Sequence, residues 1–521
     1  MKNKTTPKAP PHLDKHLFEA GQQCHKRLWL DVHEPAAEPA AASREAMSRV
    51  GDRLRELART AFPKGVAVTG ASAAEAAAET ADLLAKGTPV LFDAAFVADG
   101  VEVRCDVLVA DKGSLVDLFE IKSGTKVKHR YVNDLALQAV VVGQCGLQLQ
   151  RAYLLHVNPT YSHAGGDDYP PMQLLRSADV TAKVQKQMEL VARRLQQFRN
   201  VIELDAAPEL PMGTYCERPF PCPHIARCRG EAPARPLFEL PELTRAQEIE
   251  LHKEGVEELT ALAPDRPGLS FRQRRTLAAV GQDERLVEPF VREELLQCTA
   301  PLHFVALAPV TEPLPRFERQ KPWQLTPYGW AARTVHEDGR VETGSFVHAD
   351  RDDPRGPFAR SLAKHLEVGG TVLCWNDELL RELRNLLEGL PEEKVAVRAL
   401  LGATHLDMMQ LFESGVFDPA LTDYRDLATV VATLRGDQSG QELEALQPEL
   451  RHQALQRARA PRVGAATREK IAGEIGAALG WEAERLAELY REYAGLQPPA
   501  PVAKAKPRKR AVKPLPKLPE E

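Results

Sequence analysis

No stretch of this chain approaches the roughly 18 uninterrupted apolar residues that a membrane helix needs, so a helical membrane span is not expected. The positively charged start, MKNKTTPKAP, lacks an apolar segment behind it, which argues against a secretory signal and for a cytoplasmic address with reduced thiols. There is no GxxxxGK[ST] loop, hence no sign of nucleotide hydrolysis for motor work, and no internal repeat. Bulk basicity is missing as well: the formal net charge is −5, so any nucleic-acid binding must rest on local patches. Cysteine is scarce, with 8 in 521 residues, and in a reducing compartment these are better read as candidate metal ligands than as a disulfide framework.

What is present implies several domains, since 521 residues exceed what one core usually supports. Helical periodicity runs over residues 42–62 and 71–86, and then the pattern changes to that of a sheet. In VEVRCDVLVA, Val101, Val103, Cys105, Val107 and Val109 alternate with Glu102, Arg104, Asp106 and Leu108. A turn at residues 111–114 leads into LVDLFEIK, which sets Leu118, Glu120 and Lys122 on one face. A helix over 131–144, a strand at LQRAYLLHV and a long helix over 178–203 are expected to follow. Residues 236–295 read as a helical connector, 296–435 as a second α/β region, 436–497 as helical and 498–521 as a disordered tail. In that tail Lys504, Lys506, Arg508, Lys509, Arg510, Lys513 and Lys517 alternate with prolines.

Phosphodiester hydrolysis at neutral pH calls for a divalent cation, and hard cations want carboxylate oxygens. If residues 110–114 close an antiparallel hairpin, Asp106 lies roughly opposite position 119 and converges with Glu120 and Lys122. The lysine could then orient water or stabilise developing charge. An ordinary cross-strand charge pair is the bland alternative. Against it stands the following run, IKSGTKVKHRY, whose Lys126, Lys128 and Arg130 suit a polyanion. Gln138, on the next helix, is placed at the same sheet edge.

Cys216, Cys222 and Cys228 form C-x5-C-x5-C in a proline-containing loop, and three spaced thiols want a fourth. Cys24 is the best candidate, because Cys105, Cys145, Cys298 and Cys374 fall in apolar segments where a lone cysteine is usually a small hydrophobe. Four thiolates suit an iron–sulfur cluster or zinc, although zinc usually takes shorter C-x(2–4)-C knuckles.

Taken together, Cys24 with KRLWL, Asp106, Glu120-Ile121-Lys122, Gln138 and the three late cysteines resemble RecB-like PD-(D/E)xK nucleases with an iron–sulfur staple. That group includes AddB-type repair nucleases and CRISPR-associated RecB-like exonucleases. The chain is most similar to a bacterial family that fuses such a domain to a DnaQ-like one.

The resemblance implies a PD-(D/E)xK restriction-endonuclease-like domain over 12–235 and a degenerate RNase H-like (DnaQ-like) α/β domain over 296–435. It further implies Mg2+ or Mn2+ on Asp106 and Glu120, catalysis by Lys122 with Gln138, and a [4Fe–4S] cluster on Cys24, Cys216, Cys222 and Cys228. Glu56 is the acidic residue offered as a third metal ligand. DNA, single-stranded or with free ends, is the expected partner, with a helicase or other repair or defence protein as a second. Two departures stand out. Val142 replaces the tyrosine of the usual Q-x-x-x-Y, and Ala306 and Ala308 stand where a DnaQ-like strand carries D-x-E, leaving Asp407 as a surviving acidic position or a helix cap. The alternatives are an inactive nucleic-acid-binding or scaffold protein and a zinc-stapled RNA-processing protein.

Overall fold

The computed structural model describes residues 13–36, 41–111, 113–366, 369–376, 383, 386, 389–443 and 447–495, so the basic tail at 498–521 and Lys112 lie outside the described residues. The first part runs α1 (Lys15–Gln23), α2 (His25–His33), α3 (Ala41–Arg59), β1 (Val66–Ala67), α4 (Ala73–Ala85), β2 (Val90–Ala98), β3 (Val101–Ala110) and β4 (Leu115–Lys122). It continues with α5 (His129–Gln144), β5 (Gln148–Val157), α6 (Pro171–Leu174), β6 (Leu175–Asp179), α7 (Thr181–Ile202) and α8 (Ile225–Glu231). The six strands form one mixed sheet in the order β1-β2-β3-β4-β5-β6, with β2, β3 and β4 antiparallel and β5 parallel to β4.

Local chemistry sets these elements. Ser72 and Glu75 close a capping box at the start of the alanine-rich α4, satisfying amides that a bare helix end would leave orphaned. Asp99 and Gly100, both left-handed at φ 48° and 71°, make the two-residue turn that joins β2 to β3. The core splits over the two sheet faces. Val103, Cys105 and Leu118 pack against α5 and α7, whereas Leu54 and Leu57 of α3 pack against Phe92, Val107 and Ile121.

Two expectations need correction here. Val107 does not share a face with Val103 and Cys105, because β2 bends at Asp93 (φ 53°) and the alternation of both strands slips there. The helix expected over 178–203 begins only at Thr181. Residues 175–179 instead form the edge strand β6, antiparallel to β5.

The middle of the chain contributes α9 (Arg245–Lys253), α10 (Phe271–Gln282), β7 (Leu286–Val287) and α11 (Pro289–Leu296). The second sheet comprises β8 (Leu302–Val310), β9 (Thr326–Val335), β10 (Val341–Val347), β11 (Thr371–Cys374) and β12 (Thr404–Asp407), in the order β10-β9-β8-β11-β12. The first three strands are antiparallel, and β11 and β12 run parallel to β8. Helices α12 (Arg355–His365), α13 (Lys394–Gly402), α14 (Met408–Gly415) and α15 (Leu427–Arg435) accompany it, and β13 (Val416–Phe417) pairs with β7. Then come α16 (Pro448–Ala458) and α17 (Ala465–Tyr493). Ala306 and Ala308 are buried in one cluster with Leu455 of α16 and Ile475 and Leu479 of α17, so two C-terminal helices cover that sheet face. Among the described residues no helix is long and apolar enough to cross a membrane.

Candidate functional site

The β3–β4 ladder pairs Val107 with Phe119, which makes Glu120, rather than position 119, the counterpart of Asp106. The two carboxylates therefore face each other across adjacent strands. The Ile121 amide donates to Asp106 Oδ2 at 2.7 Å, fixing that side chain against the neighbouring strand. Glu120, only 3% exposed, points toward α5, where Gln138 Nε2 donates to Glu120 Oε2 at 2.7 Å. Lys122 Nζ, two residues along the same face, lies 2.7 Å from Glu120 Oε1 and 2.8 Å from Asp134 Oδ2. The sequence-predicted Asp106, Glu120, Lys122 and Gln138 thus meet at one place.

Three further residues belong to this constellation. Asp134 is 2% exposed and sits one helical turn before Gln138 on α5, so both face the sheet. Lys15, in the first turn of α1, reaches Glu120 Oε1 at 2.8 Å and Asp134 Oδ2 at 3.2 Å. Arg55 of α3 lies within electrostatic reach of Asp106, Asp52 and Asp93. Glu56 is not gathered in. Its side chain is 61% exposed and bonds Arg53, because the turn of α3 that buries Leu54 and Leu57 directs Glu56 to solvent.

The electrostatics separate the two carboxylates. Desolvation, reinforced by the charge of Glu120, pushes Asp106 up to about 7. Burial pushes Glu120 up too, but Lys122 and Lys15 outweigh it and hold Glu120 well below the usual carboxylate range. Both lysines are raised despite desolvation, by Glu120 and Asp134.

A hard divalent cation fits these residues. Two opposed carboxylates supply oxygen donors, and the buried Gln138 Oε1, directly beside Glu120, has no hydrogen-bond partner among the described residues. Asp106 and Glu120 would hold the ion, beside Gln138. Asp134 acts by positioning Lys122. Asp134→Asn is therefore expected to lower unfolding free energy by about 1–3 kcal/mol through the loss of a buried charge-assisted contact, measured by urea denaturation.

Apart from that centre, the chain ends of this part are tied together. Cys24 lies between α1 and α2, Cys216 and Cys222 are buried in the loop before α8, and Cys228 is on α8. All four thiols line one small cavity with Lys26 and Arg27. Burial raises each thiol, Cys216 to about 11, while neighbouring amides and cations pull the other way. Gly213 N–H donates to Cys216 Sγ at 3.5 Å, the Arg27 and Lys26 amides to Cys24, and the His224 amide to Cys222. Amide donors aimed at sulfur, with Lys26 and Arg27 beside them, are what several thiolates around an iron–sulfur cluster require. Among the described residues no group of three or more His, Cys, Asp or Glu side chains is placed to hold a metal ion.

Polar clamps reinforce the same junction. Gln23 Nε2 donates to the carbonyls of Tyr215, Arg218 and Phe220, and His224 Nε2 lies 2.7 Å from Asp31 Oδ1. Of the other cysteines, Cys105 and Cys374 are buried as expected. Cys145 is exposed, because α5 ends there and the chain turns toward solvent, and Cys298 is half-buried.

The cations after Glu120 lie outside the buried centre. Lys126 and Lys128 are exposed, and Arg130 is half-buried between Tyr131 and Phe220, about 5 Å from each ring centroid. In the second sheet Asp407 caps α14, accepting from the Gln410 amide at 3.0 Å.

A family model described as a domain of unknown function (DUF2779) matches residues 309–425, within the second sheet and its helices. No curated protein matches the chain.

Proposed function

We propose that the chain is a metal-dependent nuclease that hydrolyses phosphodiester bonds in DNA, with an iron–sulfur cluster stapling the ends of its PD-(D/E)xK-type domain. The observation that carries this is the meeting of Asp106, Glu120 and Lys122 of the central strands β3 and β4 with Gln138 of α5. A divalent cation bound there would polarise the phosphoryl oxygen and lower the pKa of a water. Asp106 and Glu120 orient the reacting groups, Lys122 offers its ammonium to charge developing on the phosphate, and Gln138 and Asp134 hold Glu120 and Lys122 in register. Lys126, Lys128 and Arg130 supply phosphate contacts nearby. The buried arrangement weakens the ordinary-charge-pair alternative, since a solvated cross-strand pair needs neither Gln138 nor Asp134.

The second domain supports a DnaQ-like, RNase H-like reading through its strand order, three antiparallel strands followed by two parallel ones. Ala306 and Ala308 cannot bind cations, and their packing beneath α16 and α17 favours an architectural role.

Lys15 is the residue that distinguishes this centre from a simple carboxylate pair. Its ammonium pairs with Glu120 Oε1 and would compete there with a bound cation. Lys15→Met should therefore tighten Mn2+ binding about tenfold by removing a nearby positive charge, read by calorimetric titration without substrate. Unchanged Mn2+ affinity would place the ion away from Glu120. The nuclease reading itself is tested by Mn2+- or Mg2+-dependent cleavage of labelled DNA.

A further inference from the structure

Two exposed aromatic rings from distant parts of the chain flank the basic segment 123–130. Trp323, 41% exposed, donates from Nε1 to the Ser123 carbonyl at 2.7 Å, one residue beyond Lys122. Phe220, 50% exposed, lies at the other end, 4.9 Å from the Arg130 guanidinium. Between them Lys126 and Lys128 are exposed and form no ion pair among the described residues.

The loop that carries Trp323 is built to hold it there. Buried Gln320 accepts from the Arg316 and Phe317 amides and donates to Thr326 Oγ1. Arg355, 1% exposed, donates to the Glu318 carbonyl at 2.8 Å. The loop also docks on the first domain, through Arg319 N–H to the His163 carbonyl, His163 N–H to the Gln320 carbonyl, and Tyr169 hydroxyl to the Pro315 carbonyl. Trp323 itself has φ 62°, a backbone conformation that a bulky side chain rarely adopts. Arg355, also paired with Asp353 and lying over the Phe317 ring, and Gln320 thus fix a loop on which the Trp323 ring stays exposed.

We infer that Trp323 and Phe220 form a stacking platform for single-stranded nucleic acid, with Lys126, Lys128 and Arg130 holding the phosphates between them. The inference rests on the nuclease reading of the adjacent carboxylate site, and it makes single strands the substrate class. Ring faces stack on bases that are free of their neighbours, whereas a duplex hides its base faces and offers only phosphates to the lysines. The second domain thereby contributes a wall to the first domain's site, a role that needs no metal of its own.

The test is fluorescence anisotropy with a labelled oligothymidylate of about 20 nucleotides, in EDTA, using the full chain. Trp323→Ala and Phe220→Ala should each weaken binding about tenfold, the range of a lost base–aromatic stack. Trp323→Phe, which keeps a ring, should stay within about threefold, and a hairpin duplex should change less than about twofold. Trp323→Leu and Phe220→Leu carry the same test if an alanine variant fails to fold, as judged by circular dichroism. Wild-type affinity in the ring-less variants, equal losses on duplex and single strand, or no single-strand binding by wild type would each overturn the platform. Binding is read in EDTA and cleavage separately with Mn2+ or Mg2+, so a wild type that binds single strands through these rings but does not cut with metal would sink the nuclease reading and leave the platform standing. A wild type that cuts while the ring-less variants bind normally would do the reverse.

Discussion

Cys222→Ala protein is expected to be colourless, losing the absorbance near about 400 nm expected of an iron–sulfur chromophore, and to melt at least about 10 °C below wild type. The thermodynamic reason is that a ligand bound only by the folded state adds its binding free energy to stability. Here that ligand would join Cys24, at the α1–α2 junction, to Cys216, Cys222 and Cys228, nearly two hundred residues later. The polar clamps remain in the variant, since Gln23 still reaches three carbonyls of the loop, so local rather than global loosening should come first. The effect should spread along α1. That helix carries Cys24 at its C-cap and Lys15 in its first turn, so freeing one end releases the cation that sits on Glu120 at the other. Cys105→Ala is the matched control, a buried cysteine away from the four thiols, and should cost about 1 kcal/mol with the colour intact. Anaerobic purification, iron analysis and thermal melting read both variants. Wild-type colour and melting in Cys222→Ala would remove this residue from the staple, and a colourless zinc-containing wild type would replace the cluster by zinc.

Asp106→Asn should lower cleavage by at least roughly 10³-fold, about 4 kcal/mol of lost transition-state stabilisation, while making the metal-free protein more stable. The two changes have one cause. Asp106 is held at about 7 by desolvation and by Glu120, so above that pH the folded state keeps a carboxylate charged where charge is disfavoured. Its unfolded value is lower, so the destabilisation is fully present above pH 7 and shrinks as pH falls from 7 toward the unfolded value. The amide can still accept from the Ile121 amide but carries no charge. In EDTA at pH 8, Asp106→Asn should gain roughly 1–3 kcal/mol over wild type, and the gain should diminish toward pH 4. Urea denaturation at several pH values follows it. A variant that loses both activity and stability would mean that Asp106 serves the fold, not the site.

Part of this site can be read directly from the sequence. Asp106, Glu120 and Lys122 announce themselves because strands alternate with period two and the turn before Leu115 is short. Asp99-Gly100 makes the β2–β3 turn at positive φ. Asp134 was less visible, since an aspartate on a helix usually faces water; its four-residue spacing from Gln138 was the available clue. Lys15 was not legible at all. Its contact with Glu120, 105 residues away, depends on where α1 packs, which no local pattern encodes. The face switch at Val107 was hidden because its cause is a left-handed Asp93, and aspartate occupies that region without the glycine that would have marked it. Strand β6 escaped because LRSAD has no alternation of its own and is recruited by the open edge of β5.

We propose that Asp106, Glu120 and Lys122 form a working hydrolytic centre. It is tested most directly by incubating anaerobically purified wild-type protein with end-labelled single- and double-stranded DNA, in Mn2+ or Mg2+ and in EDTA. Cleavage with metal, none in EDTA, restoration on adding metal back, and single strands as the preferred substrate are expected. A folded, cluster-loaded wild type that leaves both substrates intact with either metal would contradict it, and would make the fold a nucleic-acid-binding scaffold.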